Sequence, residues 1–214
     1  MRLKVKRFRQ IGSTCGQTSL RAVLDYFGLK FSLSEILKGV RLYKTGTYIE
    51  DMALFAKSLG FKTKIITFDP EFFDPTWANL PQKSLLRKYK RSMKFKRGRK
   101  RKREKILNYL KKGEKYSLQI PSRKLLFSYL KKKIPPILCI FSTILRKEKR
   151  RKNSKLNDIA GKPMGHFVVL MGYENKKFII MDPNSQKGGI KAVPEDLLLY
   201  SWYLHGGWML VIQK

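Results

Sequence analysis

The sequence is poor in acidic residues, cysteine, histidine and long apolar runs. Its 214 residues include 15 Asp and Glu against 48 Lys and Arg, giving a formal net charge of +33, and they include two cysteines and two histidines. Two cysteines cannot form a disulfide framework, and no Cys-x-x-Cys pair or Cys/His cluster offers zinc ligands. The sequence therefore excludes disulfide-rich secreted modules and zinc domains, and it predicts a reducing compartment.

The apolar runs are too short to cross a bilayer. The longest clearly apolar stretch, residues 134–141, contains two prolines, whereas a membrane helix needs about 20 residues. The basic N-terminus is not followed by the apolar segment of a secretory signal. With 43% hydrophobic residues, the chain can still build a core. We expect a soluble, cytoplasmic protein with a single domain over residues 1–214.

The positive charge is concentrated in one segment. From Lys83 to Lys115, hereafter the basic segment, there are 17 Lys and Arg and two acidic residues. A second basic cluster, residues 146–152, falls in a predicted loop. Three interpretations are open: solvated surface charge, a site for nucleic acid or another polyanion, and a site for an acidic substrate or partner. No RNA-binding aromatic signature, zinc finger or helix-turn-helix pattern accompanies the charge.

Helical periodicity precedes β-rich runs along the chain. Leu20, Val23, Leu24 and Phe27 recur at helical spacing before Gly28, which predicts a helix from Cys15. The predicted helices cover residues 15–27, 32–40, 47–60, 83–110 with a break at Gly98, and a segment capped by Ser122. The predicted strands cover residues 61–68, 137–141, 167–173, 178–181, 190–193 and 208–212. This order indicates an α+β fold with an antiparallel sheet in the C-terminal part.

Three chemically active side chains lie at the ends of predicted elements. Cys15 is in the first turn of its helix, where the helix dipole and a nearby imidazolium would favour the thiolate. His166 begins one strand and Asp182 ends the next, so an antiparallel pairing places them side by side. Asp182 would then orient the imidazole, as in a catalytic triad. Gln10 could direct its amide at a developing oxyanion.

The remaining cysteine and histidine have simpler interpretations. Cys139 lies inside an apolar run and is expected to be a buried strand residue. His205 precedes two glycines and is expected in a loop. The three tryptophans, Trp77, Trp202 and Trp208, are expected to line the core or a cleft.

The motifs around these residues resemble those of a known family. Gln10…Cys15-Gly16, Gly165-His166-Phe167 and Met181-Asp182-Pro183 are similar to motifs of the double-glycine (bacteriocin-processing) peptidase-like family of papain-like cysteine peptidases. The resemblance covers essentially the whole chain. It is closest to stand-alone prokaryotic members, which share an Asp-Pro-Thr-Trp segment, here residues 74–77, and an Asn-Asp-Ile/Val-x-Gly-x-Pro segment, here residues 157–163.

The resemblance implies a papain-like fold, with the nucleophile helix packed on the sheet. It implies Cys15 as nucleophile, His166 as base, Asp182 as the orienting carboxylate and Gln10 in the oxyanion hole. The substrate would be a peptide or amide cleaved through an acyl-enzyme, with no metal or organic cofactor. Members that trim leader peptides commonly have an acidic residue before the cysteine, where this chain has Thr14.

Two alternatives share the same scaffold. The same triad would serve an acyltransferase, and a catalytically silent scaffold could bind polyanions through the basic segment. Residues 83–115 have no place in the minimal peptidase pattern, so we expect a basic helical insertion that serves as a cap or docking helix. The oligomeric state does not follow from the sequence.

Overall fold

The computed structural model describes residues 1–44, 46–95, 98–153 and 155–214. Lys96 and Arg97 of the basic segment therefore lie outside the described residues. The helices are α1 (Cys15–Tyr26), α2 (Leu33–Gly39), α3 (Ile49–Ser58), α4 (Gln82–Ser92), α5 (Lys100–Lys111), α6 (Arg123–Lys131), α7 (Ser142–Leu145) and α8 (Glu195–Tyr203), with a short 3-10 helix at Pro75–Trp77. None of the described helices is both long and apolar enough to span a membrane.

A seven-stranded sheet forms the centre of the fold, in the order β2-β1-β9-β3-β6-β7-β8. Its strands are β1 (Lys62–Thr67), β2 (Lys115–Leu118), β3 (Ile137–Phe141), β6 (Gly165–Glu174), β7 (Lys177–Asp182), β8 (Gly189–Pro194) and β9 (Met209–Gln213). Strands β1 and β2 pair in parallel, and the other neighbours in this sheet pair antiparallel. A separate two-stranded ribbon joins β4 (Arg151–Lys152) and β5 (Lys155–Leu156).

The sheet is covered on both faces near its centre. Every residue of β6 from His166 to Met171 is buried, although successive side chains point to opposite faces. Helix α1 packs against β6, and α8 packs against β3 and β7. Leu20, Val23 and Leu24 of α1 are fully buried, as their helical spacing predicts. The expected α+β fold, with α1 packed on a mostly antiparallel sheet, is confirmed.

Several elements differ from the expectation. The sheet is not confined to the C-terminal half, because β1 and β2 extend it with a parallel pair from the helical half. The expected break at Gly98 is confirmed, because the stretch 83–110 is divided into α4 and α5 and Gly98 between them has a φ of +84°, which a glycine tolerates. The sequence interpretation missed β2, α7 and α8. The assignment of all 214 residues to one domain stays a prediction.

Candidate active site

Cys15 is the first residue of α1, as predicted from the sequence. Thr14 closes the preceding turn: its Oγ1 donates to the Ile11 carbonyl oxygen at 2.9 Å and accepts from the Ile11 N–H at 3.1 Å. Gly12 in this turn has a φ of +58°, a left-handed conformation available to glycine. The turn places Cys15, a half-buried residue, at the positive end of the helix.

Helix α1 approaches strand β6 closely beside the thiol. A Cβ atom at Gly16 would lie 3.2 Å from Cδ2 of Phe167, so the glycine permits this approach. One turn later, the Ser19 hydroxyl donates to the Phe167 carbonyl oxygen at 3.3 Å. Because Phe167 directly follows His166, this packing sets the separation between the thiol and the imidazole.

His166 and Asp182 are neighbours at one end of the antiparallel pair β6–β7. Nε2 of His166 and Oδ1 of Asp182 are 2.7 Å apart, and both side chains are buried. The His166 side chain also interacts with the Cys15 thiol closely enough to shift the pKa values of both groups. Since Nε2 faces the carboxylate, Nδ1 is the ring nitrogen left for the sulfur. The structure brings together the thiol, imidazole and carboxylate that the sequence interpretation selected.

The electrostatics of this group favour an ion pair between Cys15 and His166. Burial alone would raise the pKa of the Cys15 thiol, but the hydrogen bond and charge of His166, with backbone N–H groups of Phe167 and Gly16, lower it below its usual value. Burial would lower the pKa of His166, but hydrogen bonds and charge from Asp182 and Cys15 raise it to about 9. The two shifts act in the same sense, toward a thiolate on Cys15 beside an imidazolium on His166.

Asp182 has two further hydrogen-bond partners besides His166. Nη2 of Arg146 donates to Oδ2 of Asp182 at 2.9 Å, and the Asn184 N–H donates to Oδ1 at 3.0 Å. Burial would raise the pKa of Asp182, but hydrogen bonds and charge from His166 and the Arg146 hydrogen bond hold it well below its usual range. Sequence reasoning missed Arg146 because it lay in a cluster of apparently solvated bases. A fully buried carboxylate requires a partner, yet nothing local in the sequence identifies which base supplies it.

A backbone hydrogen bond holds Gln10 next to Asp182. Its N–H donates to the carbonyl oxygen of Pro183 at 2.8 Å, next to Asp182. The side-chain Nε2 donates to the Gly12 carbonyl oxygen at 2.5 Å, and Oε1 is buried with no hydrogen-bond partner among the described residues. An amide nitrogen carries two N–H donors. One donor of Gln10 is therefore used within its own turn.

The second cysteine and histidine, Cys139 and His205, also lie close together, but their pKa shifts favour the neutral forms. Sγ of Cys139 and Nε2 of His205 are 3.7 Å apart, and the His205 ring packs on Phe141 at 4.6 Å between centroids. Burial raises the pKa of the Cys139 thiol and lowers the pKa of His205 to about 4. This pair is therefore neutral near pH 7. The expectation that Cys139 is a buried strand residue is confirmed, and His205 lies in a turn after α8.

The basic segment has two unlike faces. On the inner face, Lys102 donates to Glu50 at 2.7 Å and Lys105 donates to Asp51 at 2.6 Å, so α5 is tied to α3. Arg103 is almost fully buried and donates to the carbonyl oxygen of Glu71 at 3.0 Å. Part of the positive charge of the basic segment is therefore bound to acceptors within the fold and is not free surface charge.

Comparisons with solved structures support the same architecture. The chain is similar to the peptidase domain of Streptococcus ComA, a bi-functional ABC transporter involved in a quorum-sensing pathway, with 17% identity, 98% of each chain covered and a TM-score of 0.56. It is similar to a putative C39-like peptidase from Bacillus anthracis, with 14% identity, 99% of this chain and 95% of the other covered, and a TM-score of 0.57.

A third similar structure is a double glycine motif protease from an AMS/PCAT transporter in complex with a leader peptide. Its identity is 17%, 99% of this chain and 93% of the other are covered, and the TM-score is 0.53. No curated protein matches the sequence. The family model described as Peptidase_C39 like family matches residues 2–207. The chain therefore belongs to the Peptidase_C39 like family.

Proposed function

We propose that the protein is a cysteine peptidase that hydrolyses peptide bonds through Cys15, His166 and Asp182. The observation that carries this proposal is the 2.7 Å contact between the His166 imidazole and the buried Asp182 carboxylate, with the same imidazole interacting with the Cys15 thiol. Family membership supports the reaction class. A peptide substrate is further supported by the leader peptide bound to the similar double glycine motif protease.

The proposed reaction follows from the charge state of this group. The Cys15 thiolate attacks the carbonyl carbon of the scissile peptide bond, and the carbonyl oxygen takes up the negative charge. The His166 imidazolium gives its proton to the leaving amine as the C–N bond breaks, which leaves a thioester on Cys15. Water then gives a proton to His166 and attacks the thioester, which releases a carboxylic acid and the thiolate. Asp182 keeps the ring oriented throughout.

The tetrahedral oxyanion requires nearby donors, and we assign this role to Gln10 and the Cys15 backbone N–H. The position of Gln10 supports the assignment because its backbone is fixed to Pro183 beside Asp182. The second N–H of its amide, or the first after release from Gly12, would serve as donor. Loss of one such donor typically reduces the rate by about 100-fold to 1,000-fold. Gln10→Ala should therefore lower kcat without preventing alkylation of Cys15.

Thiol-specific alkylation tests the central proposal without a known substrate. Iodoacetamide at about pH 6 should modify Cys15, because a thiolate stabilised by an imidazolium reacts where ordinary thiols do not. His166→Ala should abolish this selectivity. Cys139 is the internal control, because its buried thiol is neutral and should stay unmodified in the folded protein. Equal labelling of Cys15 in the wild type and in His166→Ala would contradict the proposal.

Acyl transfer is the alternative outcome of the same chemistry. An amine that outcompetes water at the thioester gives a new amide in place of a carboxylic acid. Product analysis by mass spectrometry, with a peptide substrate and graded concentrations of an added amine, separates the two. The cytoplasmic location stays a prediction from the sequence.

We propose as a second function that the outer face of α4 binds the phosphate backbone of nucleic acid. Lys83, Arg87, Lys90 and Lys94 are exposed at spacings of four, three and four residues, so they form one basic stripe along the helix and its C-terminal turn. At 1.5 Å per residue the stripe extends about 16 Å. None of the four forms an ion pair with another described residue.

The uncompensated charge supports a polyanion as the partner. Like charges four residues apart on a helix destabilise it by about 0.2–0.5 kcal/mol per pair, and a row of phosphates would relieve this repulsion. Phe95, 83% exposed next to Lys94, offers a surface on which an unpaired base can stack. An anionic membrane is a poorer fit, because Leu85 and Tyr89 of α4 are buried in the core and Leu86 is partly buried against it.

A salt titration tests this second function. The variant with Lys83, Arg87, Lys90 and Lys94 changed to Gln should bind a fluorescent single-stranded oligonucleotide more weakly. The slope of the logarithm of its binding constant against the logarithm of salt concentration should become shallower by about 0.7 for each lost phosphate contact. The matched control changes four exposed lysines elsewhere, Lys124, Lys131, Lys132 and Lys177, to Gln. Equal losses in both variants, or tighter binding to anionic vesicles or polyglutamate than to the oligonucleotide, would refute a nucleic-acid site on α4.

A further inference from the structure

We propose that Arg146 is a positioning residue that holds the Asp182 carboxylate in the orientation His166 requires. The inference rests on the proposed peptidase function and adds a fourth side chain to it. Arg146 directly follows α7, and its side chain is 12% exposed. It contacts Asp182 on the side away from the imidazole.

The two carboxylate oxygens of Asp182 have separate partners. Oδ1 accepts from Nε2 of His166 at 2.7 Å and from the Asn184 N–H at 3.0 Å, whereas Oδ2 accepts from Nη2 of Arg146 at 2.9 Å. A carboxylate held at only one oxygen can rotate about its Cβ–Cγ bond. The contact to Arg146 opposes that rotation, because it would break a charge-assisted hydrogen bond in a buried site. Oδ1 therefore stays directed at the imidazole.

Arg146 is itself held from outside by a second ion pair. Its Nη1 lies 3.6 Å from Oε1 of Glu148, and Oε2 of Glu148 accepts from Nζ of Lys187 at 2.8 Å. Lys187 belongs to the turn after β7, whose N–H groups at Gln186 and Lys187 donate to the Asn184 side chain. These contacts join the loop before His166 to the turn after Asp182. The two segments that carry the base and the carboxylate are thus connected at the site.

The charge of Arg146 also acts on the thiol through Asp182. The groups facing Asp182 are His166 from β6 and Arg146 from the loop after α7, with Cys15 beyond the imidazole. Arg7 lies beside Gly189, the β8 register partner of Asp182. Removing the Arg146 charge leaves the site with one positive charge fewer. Because positive charge stabilises the Cys15 thiolate, the thiolate would then form at a higher pH. An arginine that only stabilised the fold, without its charge acting on Asp182, would leave this midpoint unchanged in a protein that stays folded.

The test compares Arg146→Met, Arg146→Lys and Lys149→Met. Lys149 lies in the same loop and pairs with Asp158, but both side chains are more than 60% exposed, so Lys149→Met removes the same charge without touching the site. The readouts are the rate of Cys15 alkylation by iodoacetamide against pH, the ultraviolet absorbance of the thiolate, and the thermal unfolding midpoint.

In the plot of Cys15 alkylation rate against pH, we expect Arg146→Met to move the midpoint of the acidic limb upward by about one pH unit. At pH values below that midpoint, alkylation should be about tenfold slower. Arg146→Lys should restore the midpoint, because it keeps the charge. Lys149→Met should match the wild type. If Arg146→Met unfolds, Arg146→Gln, which keeps a hydrogen-bond donor without the charge, should give the same upward shift.

The outcomes separate this inference from the proposed function. A wild-type protein whose Cys15 titrates as an ordinary thiol overturns the proposed peptidase site. A wild type with an activated thiol, combined with an unchanged acidic limb in the folded Arg146→Met or Arg146→Gln variant, overturns only the role of Arg146.

Discussion

Gly16 on α1 lies against Phe167 on β6, so that a methyl group at Gly16 would stand 3.2 Å from the phenyl ring. The same methyl group would approach Thr47 at 3.0 Å and Met52 at 3.1 Å. These distances are shorter than ordinary van der Waals contacts, so at least one neighbour must move. Gly16 therefore sets how closely the helix carrying the thiol approaches the strand carrying the imidazole.

Gly16→Ala should separate Cys15 from His166 while leaving the fold intact. Overpacking of this kind typically costs about 1–3 kcal/mol of unfolding free energy, and the widened gap should slow iodoacetamide alkylation at about pH 6. Urea unfolding and alkylation kinetics measure the two effects. In a double-mutant cycle with Phe167→Leu, part of the loss should return, because the smaller side chain makes room. Additive losses would show that the Phe167 ring does not set the approach.

Asp182→Asn should lower the pKa of His166 from about 9 toward the ordinary histidine value. The sign follows from the contact: a carboxylate stabilises the imidazolium, and a neutral amide does not. NMR titration of the imidazole measures the shift. In turnover assays, the alkaline limb of the pH–rate profile should move to lower pH by the same amount. Asp158→Asn is the control, because Asp158 is exposed and pairs with Lys149 away from the site. A His166 pKa unchanged by Asp182→Asn would contradict the orienting role.

Asp182 should also contribute to acid sensitivity. Its folded pKa lies well below the usual aspartate value, so its contribution to stability is present above about pH 4 and is lost as the pH falls through the folded pKa. The stability advantage of the wild type over Asp182→Asn should therefore shrink below about pH 4. Equilibrium unfolding at several pH values gives the difference, and a constant difference down to the acid transition would contradict the ion pair.

Local sequence signals predicted the elements that carry the candidate site. The apolar spacing of Leu20, Val23 and Leu24 located α1, and the short turn between β6 and β7 predicted the antiparallel pair that joins His166 to Asp182. These features depend on residues close together in the chain. Pattern reasoning therefore sufficed to pair His166 with Asp182, whereas the approach of Cys15 to His166 was implied by the resemblance to the family.

The missed features depend on contacts between distant residues. Strand β2 has only four residues and follows a highly charged helix, and it is a strand because it pairs with β1 more than 40 positions earlier. Helix α8 begins after Pro194 with Glu195 and Asp196 in its first turn, a start signal that the sequence interpretation overlooked. Packing decides which basic side chains face inward. The sequence alone therefore did not distinguish Arg146 and Lys102 from their solvent-exposed neighbours.

His205 should make the protein sensitive to mild acid. Burial holds its folded pKa at about 4, whereas an unfolded histidine takes up a proton near its ordinary value of about 6.5. Between these values the unfolded state binds more protons, so unfolding free energy should fall by up to about 1.4 kcal/mol per pH unit as the pH decreases. His205→Gln should reduce this slope in chemical unfolding measured from pH 7 to pH 4. An unchanged slope would show that other groups cause the acid sensitivity.

Lys102 should stabilise the fold through the fully buried Glu50. Oε1 of Glu50 accepts from Nζ of Lys102 at 2.7 Å and from the Tyr116 hydroxyl at 2.6 Å, which ties α3 to α5 and β2. Lys102→Met leaves a buried carboxylate without its cation, which typically costs about 3–5 kcal/mol. Lys100→Met removes the same charge from an exposed position of α5 and should cost less than about 0.5 kcal/mol. Adding Glu50→Gln to Lys102→Met should recover part of the loss, because the uncompensated charge disappears. If Lys102→Met and Lys100→Met have equal unfolding free energies by urea titration, the inner face of α5 does not depend on this ion pair.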